Sequence, residues 1–258
     1  MLKILYEDKY ALVINKPAGI SVHGDGKNSE KTLADLLLAE YPKLKKVGEP
    51  FVISYKGESI TIPKPGIVHR LDKETSGVLL VAKSQTSYEF FKKQFQDHNI
   101  QKEYHAFVYG VPKLTEGTIE ESIGRSGGDI RKWGTGRSAR GELRNAITEY
   151  KVLERIGMSE DSDVKGSTEQ GTYSHLVLYP KTGRTHQIRV HLKHINHPIV
   201  CDTIYAPNRE PALGFARLAL HARALTFTLP NGKEETVEAP FPKDFKSALS
   251  LAKKGELC

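Results

Sequence analysis

The spacing of apolar residues changes several times along the chain, and each change marks an element. Ile4-Leu5-Tyr6 and Tyr10-Ala11-Leu12-Val13-Ile14 flank the polar triplet Glu7-Asp8-Lys9, which predicts a β-hairpin. Residues 32–41 carry Leu33, Leu36 and Leu37 at helical spacing behind a capping Thr32, and Pro42 stops them. Residues 51–62 have strand character around Gly57 and predict a small hairpin. Val78-Leu79-Leu80-Val81-Ala82 is a continuous apolar run, the mark of a buried strand. Ser84 then caps a helix over 85–97 with Tyr88, Phe91 and Phe95 on one face. Alternation over 101–110, 146–154 and 172–180 predicts three strands. From Arg184 a helix opens, with Ile188, Leu192 and Ile195 facing inward. Residues 218–222 begin a strand or turn, 225–230 complete a hairpin arm, and 244–254 form a terminal helix. Hairpins alternating with a few helices make the class α+β.

Two stretches resist this treatment. Residues 124–145 show neither period. They hold Arg125, Arg131, Lys132, Arg137, Arg140 and Arg144 around Trp133, opposed only by Asp129 and Glu142. Cationic, glycine-rich and carrying one aromatic, the stretch suits a phosphate backbone and a stacked base. A solvated loop is the plain alternative. Residues 157–171 are polar and acidic, and read as a flexible hairpin tip whose charge makes it a poor RNA contact.

Composition narrows the class. With 258 residues the chain is long enough for one large domain or two small ones. A net charge of +7 and a pI of 9.2 suit a polyanionic partner. Cys201 and Cys258 build neither a disulfide framework nor a metal motif, which points to a reducing, cytoplasmic compartment. The first eight residues turn acidic too early for a signal peptide, and no apolar run reaches membrane-spanning length. His186, His191, His194 and His197 lack the i, i+4 pair of a zinc helix, so no metal site is expected.

The densest chemistry lies at His69-Arg70-Leu71-Asp72, followed by Thr75-Ser76-Gly77. A base, a carboxylate and two hydroxyls stand just ahead of the buried strand, where a rigid element can hold a reactive loop. Asp72 as a turn cap, with the Thr-Ser-Gly triplet closing the bend, fits the spacing equally well. H-R-L-D followed by T-S-G resembles the central motif of the RluA-type pseudouridine synthases. Other stretches agree in the same order over residues 5–241. They are Asn15-Lys16-Pro17-Ala18-Gly19, then Lys102, Tyr104, Ala106, Val108 and Gly110 at alternate positions, and later Thr182-Gly183-Arg184-Thr185-His186-Gln187-Ile188-Arg189-Val190-His191. Pro198-Ile199-Val200-Cys201-Asp202 with Tyr205 matches too, except that Cys201 stands where the family has glycine. Leu218-Ala219-Leu220-His221-Ala222 is the last signature.

The resemblance implies a pseudouridine synthase fold: a mixed, mostly antiparallel central sheet with flanking helices and a central active-site cleft. Residues 1–258 would form one catalytic domain with insert-like loops near 43–64, 124–145 and 157–171, and without an N-terminal S4-type domain. The reaction breaks the bond from uracil N1 to ribose C1′ and rejoins the ring through C5. Substrate and product are isomers, so no cofactor is expected. By resemblance Asp72 is catalytic, either attacking C1′ or removing the C2′ proton. Arg189 would hold that carboxylate ionised, and Tyr104 would stack on the uracil. Ile188 and Leu220 would line the pocket, and Arg70 would fill the space left by the everted base. Arg184 and His186 join them as substrate contacts, with Arg131, Lys132, Arg137 and Arg140 gripping RNA. The expected partner is RNA, ribosomal first and transfer RNA as the alternative, with no membrane and a monomeric protein. A catalytically silent RNA-binding module is the competing class; intact Asp72, Tyr104 and Arg189 speak against it.

Overall fold

The computed structural model describes residues 1–26, 30–55, 58–129, 131–157 and 171–254. The expected acidic hairpin tip at 157–171, apart from its two end residues, and Cys258 lie outside the described residues. The fold is α+β; among the described residues there are four α-helices, and every strand pair whose register is described is antiparallel. The chain divides into two compact units, residues 1–102 with 222–240 and residues 103–221 with 241–258.

In the first unit β1 (Ile4–Glu7) and β2 (Ala11–Lys16) form the expected hairpin, turned by Asp8, whose carboxylate accepts the amides of Tyr10 and Ala11 at 2.8 and 2.7 Å. Helix α1 (Leu33–Glu40) starts in a capping box: Asp35 accepts the Thr32 amide at 2.8 Å, and the Thr32 hydroxyl accepts the Asp35 amide. Strands β3 (Phe51–Tyr55) and β4 (Glu58–Ile62) pair by themselves. Strand β5 (Ser76–Ala82) is buried along its whole length and pairs with β2. Helix α2 (Gln85–Gln96) is capped by Ser84 and buries Tyr88 and Phe91, as its periodicity predicts.

Strand β6 (Gln101–Tyr109) leads into the second unit, where β7 (Glu116–Glu120), β8 (Ile123–Arg125), β9 (Trp133–Thr135), β10 (Ile147–Ile156) and β11 (Tyr173–Pro180) follow. Its sheet runs β6-β11-β10-β7, while β8 and β9 form a separate hairpin. Helices α3 (Gln187–His194) and, at the end of the chain, α4 (Lys243–Lys254) complete it. Its core gathers Phe107, Leu176, Leu178, Leu192, Phe215 and Phe245. Strand β12 (Leu220–Thr228) returns the chain to the first unit and pairs there with β13 (Glu234–Glu238).

Two expectations are corrected. Residues 124–145 are not without regular structure: β8 and β9 lie there, followed by a 3-10 turn at Gly136–Ser138. Three-residue strands are too short to leave a countable period. The expected break between 222 and 225 does not occur, because β12 runs through both pieces. Gly77, at φ 119°, lets it approach: a Cβ there would sit 2.0 Å from the Ala222 carbonyl oxygen.

Candidate active site

The loop carrying Asp72 is fixed at both ends by backbone. The Thr75 amide donates to the Asp72 carbonyl at 3.1 Å, closing the turn before β5. His69 is not a free base. Its Nε2 accepts the Leu80 amide at 2.9 Å, so the proton sits on Nδ1 and the ring is neutral. The ring stacks on Phe95 with centroids 4.5 Å apart, and burial, reinforced by Lys102, pushes its pKa down to about 3. Lys102 is itself driven down to about 8 by burial.

Lys16, for which a phosphate contact and a solvated turn were both open, does neither. It is fully buried, and its ammonium donates to the carbonyls of Pro17, Ile20 and Lys73 at 2.9, 2.9 and 3.0 Å. One cation thus ties the Asn15–Gly19 turn to the backbone beside Asp72. Buried carbonyls without a donor are costly, and an ammonium with three donors satisfies all three.

Arg189 is buried in the second unit and grips Asp202 bidentately. Nε and Nη2 donate to the two carboxylate oxygens at 2.8 and 2.7 Å. Asp202 also accepts the amides of Ile204 and Tyr205 at 3.0 Å each, so its own geometry is set by a turn. The guanidinium lies 5.1 Å from the centre of the Tyr205 ring. Such a fork, held along one edge by a carboxylate and flanked by an aromatic face, has little rotamer freedom left. Tyr104 is partly buried against the same apolar cluster that contains Ile188 and Leu220. Tyr104, Ile188 and Leu220 thus belong to one apolar cluster.

The rest of the 182–191 motif serves as scaffold for Arg189. Gln187 accepts from the Thr182 hydroxyl at 2.7 Å and the Arg184 amide at 2.9 Å, and donates to the Ile147 carbonyl and the Thr148 hydroxyl. His191 donates from Nε2 to the Glu121 carbonyl at 3.0 Å and accepts from Thr148 at Nδ1. Arg184 donates to the Asn145 carbonyl at 3.1 Å. His186 precedes α3 in a left-handed conformation, φ 56°, and its Nδ1 lies 2.9 Å from the Tyr205 hydroxyl. His194 bridges to Thr135, and His197 to the Tyr109 carbonyl. Each of the four histidines is spent on a different contact, and among the described residues no cluster of three or more His, Cys, Asp or Glu side chains is placed to hold a metal ion.

Two of the expected RNA contacts change character. Trp133 is half-buried against Ile123, Ala146, Val190 and Tyr205, and Arg125 covers its ring at 4.9 Å. Its amide donates to the Tyr205 hydroxyl at 3.0 Å. Trp133 thus anchors the β8–β9 hairpin. Arg131 is locked on Asp129 at 3.1 and 2.8 Å, and that fork holds the Asp129 carboxyl down to about 2. Lys132 is half-buried and Arg140 exposed; Arg137 lies in the 3-10 turn. Asp202 and Tyr205 were seen in the sequence only as motif positions, and the D-x-x-Y spacing after Cys201 was the available signal.

Comparison with known proteins defines the family. A model described as RNA pseudouridylate synthase matches residues 10–194. An uncharacterized RNA pseudouridine synthase of Synechocystis sp. is 36% identical over 249 residues, 96% of this chain and 68% of that protein. Ribosomal large subunit pseudouridine synthase D of Neisseria meningitidis serogroup B is 37% identical over 261 residues, 97% of this chain and 61% of that protein. The human RNA Pseudouridylate Synthase Domain Containing 4 superposes with a TM-score of 0.68 at 27% identity, covering 97% of this chain and 93% of that one. The chain belongs to the RNA pseudouridylate synthase family, whose reaction is the isomerisation of uridine within RNA. It spans about two thirds of the length of these two curated relatives. Among the described residues no helix is long and apolar enough to cross a membrane.

Proposed function

We propose that this chain converts specific uridines of ribosomal RNA to pseudouridine, with Asp72 as the catalytic carboxylate. Support for the ribosomal target comes from relatives named ribosomal large subunit pseudouridine synthase D, at 34–37% identity over at least 95% of this chain. Asp72 engages the sugar, at C1′ as nucleophile or at C2′ as base. In this reading Arg189 serves the same reaction as a fixed positive charge, and Tyr104 stacks on the uracil. Ile188 and Leu220 keep the ring's surroundings apolar, and the protein works as a monomer in the cytoplasm.

The observation that supports this reading is the match of a model described as RNA pseudouridylate synthase to residues 10–194, a span that holds Asp72, Tyr104 and Arg189. Formation of the C5 glycosidic bond expels the C5 hydrogen, so tritium release from RNA labelled at uracil C5 follows turnover. Asp72→Asn should abolish release from ribosomal RNA transcripts while RNA affinity stays within about twofold, since only the ionised oxygen is lost. Full release by Asp72→Asn would remove Asp72 from the chemistry. Equal release from transfer RNA would move the target.

A further inference from the structure

We infer that Glu103, His105, His175 and Glu154 form a proton-binding relay across three strands of the second unit, in which His105 holds an extra proton at neutral pH. The inference rests on the geometry of the sheet and not on the catalytic reading.

Strand register brings the four side chains onto one face. Across β6 and β11, His105 stands opposite Val177 and Phe107 opposite His175. A β-bulge between Val152 and Glu154 sets Glu154, instead of Leu153, opposite His175 from β10. His105 Nδ1 lies 2.8 Å from His175 Nε2, and His105 Nε2 lies 3.2 Å from a Glu103 oxygen. His175 Nδ1 faces Glu154 Oε2 at 3.9 Å. Aromatic rings enclose the pair: Phe107 stacks on His175 with centroids 4.8 Å apart, and Phe241 meets His105 edge-on at 5.0 Å. Both histidines are buried.

These three contacts require three protons. Each carboxylate end needs a ring N–H, and the central pair of nitrogens needs one between them. Two neutral imidazoles carry only two. Whatever their tautomers, one contact would then set acceptor against acceptor inside the protein, which is costly. Among the described residues neither His175 Nδ1 nor Glu154 Oε2 has a hydrogen-bond partner, so the shortfall would fall at that end. A third proton on His105 removes it. The imidazolium donates from both nitrogens, to Glu103 and to His175 Nε2, and His175 can then carry its own proton on Nδ1, aimed at Glu154. Burial, and then the charge on His105, push the pKa of His175 down to about 3, which keeps that ring neutral. The other ionisable groups on this face are Tyr179, Lys151 and Glu149. Tyr179 is raised by burial and by Glu103, to which its hydroxyl donates; Lys151 is exposed; Glu149 pairs with Lys181 at 2.7 Å. From the C-terminal side Asp244 is taken by Arg217 at 2.7 Å, and His221 of β12 lies behind the Phe241 ring at 5.8 Å. Tyr104 sits between Glu103 and His105 in β6 and projects to the opposite face, so the relay braces the strand that carries it. Release of the proton in alkali returns two facing acceptors and loosens that brace.

The test is long-range proton–nitrogen NMR of the histidine ring nitrogens in the full chain, titrated from acid to alkali and assigned through His105→Gln and His175→Gln. At pH 8 an ordinary histidine is only about 3% protonated. His105 should still be more than about half protonated there, with hydrogen on both nitrogens, a more than tenfold excess over that ordinary value. His175 should show a hydrogen on Nδ1 and a bare Nε2. Glu103→Gln, at a partly exposed position, removes the carboxylate and keeps the shape. It should weaken proton binding by His105 about tenfold, the size expected for one adjacent charge. Because the folded chain then holds a proton that the unfolded chain has released, the parent should lose more melting temperature between neutral and alkaline pH than Glu103→Gln does. A bare nitrogen on His105 at neutral pH overturns the proposal, as does an unchanged His105 titration in folded Glu103→Gln. Equimolar zinc that raises the melting temperature of the parent but not of His175→Gln would make the missing cation a metal ion, and would also overturn it.

Discussion

Replacing Asp202 by alanine would leave the Arg189 guanidinium buried without the acceptors of its Nε and Nη2 hydrogens, now met at 2.8 and 2.7 Å. The Asp202 side chain is wholly enclosed and that of Arg189 is 7% exposed, so solvent screens the loss little. Breaking one side of such a pair costs about 3–5 kcal/mol. The amides of Ile204 and Tyr205 lose their acceptor as well, which adds to the cost. For a chain of this size, about 2–4 °C of melting temperature per kcal/mol converts the pair term to a fall of roughly 6–20 °C. Asp202→Asn separates charge from shape. Its carbonyl oxygen can occupy the Oδ1 position and keep three donors, but its amide then faces the Arg189 Nε–H, donor against donor. It should melt between the parent and Asp202→Ala. An arginine released from its aim should also lower kcat by about a hundredfold, the usual penalty of ångström-scale misplacement. Differential scanning calorimetry and tritium release read the two effects. A melting temperature within about 2 °C of the parent, combined with unchanged kcat, would show that the pair neither stabilises the unit nor orients Arg189.

Two further outcomes follow from the buried histidines and the left-handed backbone. His69 and His175 are each depressed from 6.5 to about 3, mainly by burial, so between those values the unfolded chain binds more protons than the folded one. Their stabilisation is complete above 6.5 and is lost as pH falls toward 3, by about 2 kcal/mol per histidine at about pH 5. Urea midpoints should therefore drop in acid, and less steeply in His69→Gln and His175→Gln; parallel curves for parent and variants would refute the assignment. Cys201 sits at φ 58°, a left-handed conformation that favours glycine. Cys201→Gly should alter stability by no more than about 1 kcal/mol, since relief of strain offsets the lost packing, whereas β-branched Cys201→Val should destabilise by more than that. Equal melting temperatures for the two variants would show that the backbone there is unstrained.

Periodicity carried the long elements because their buried faces repeat often enough to be counted. Both capped helices, α1 behind Thr32 and α2 behind Ser84, begin where the caps predict. Strand β5 is as buried as its unbroken apolar run implies. What escaped was short or depended on a distant partner. Strands β8 and β9 have three residues each, too few for alternation to declare itself amid arginines and glycines. Strands β7 and β13 alternate threonine and glutamate with single apolar residues, so their pairing comes from β10 and β12 and not from their own pattern.

The same distinction separates the legible from the illegible part of the site. Asp72, Tyr104 and Arg189 stand out because their motifs are specific, yet a motif does not say which member reacts and which supports. Lys16 illustrates the difficulty. An exposed-looking lysine next to Pro17 suggests a phosphate contact, but its stem runs into the core and its charge is consumed by three carbonyls. Asp202 is the converse: an acid in a turn suggests a backbone cap, which it is, and the same carboxylate also fixes the guanidinium 13 positions earlier. In both cases a charged group is retained inside the protein because several fixed partners share the cost of its desolvation. That is a reason for the motif residues around Asp72 and Arg189 to tolerate little change even where they touch no substrate. Conservative replacement of a supporter should therefore impair turnover through geometry, while the reacting groups themselves stay intact.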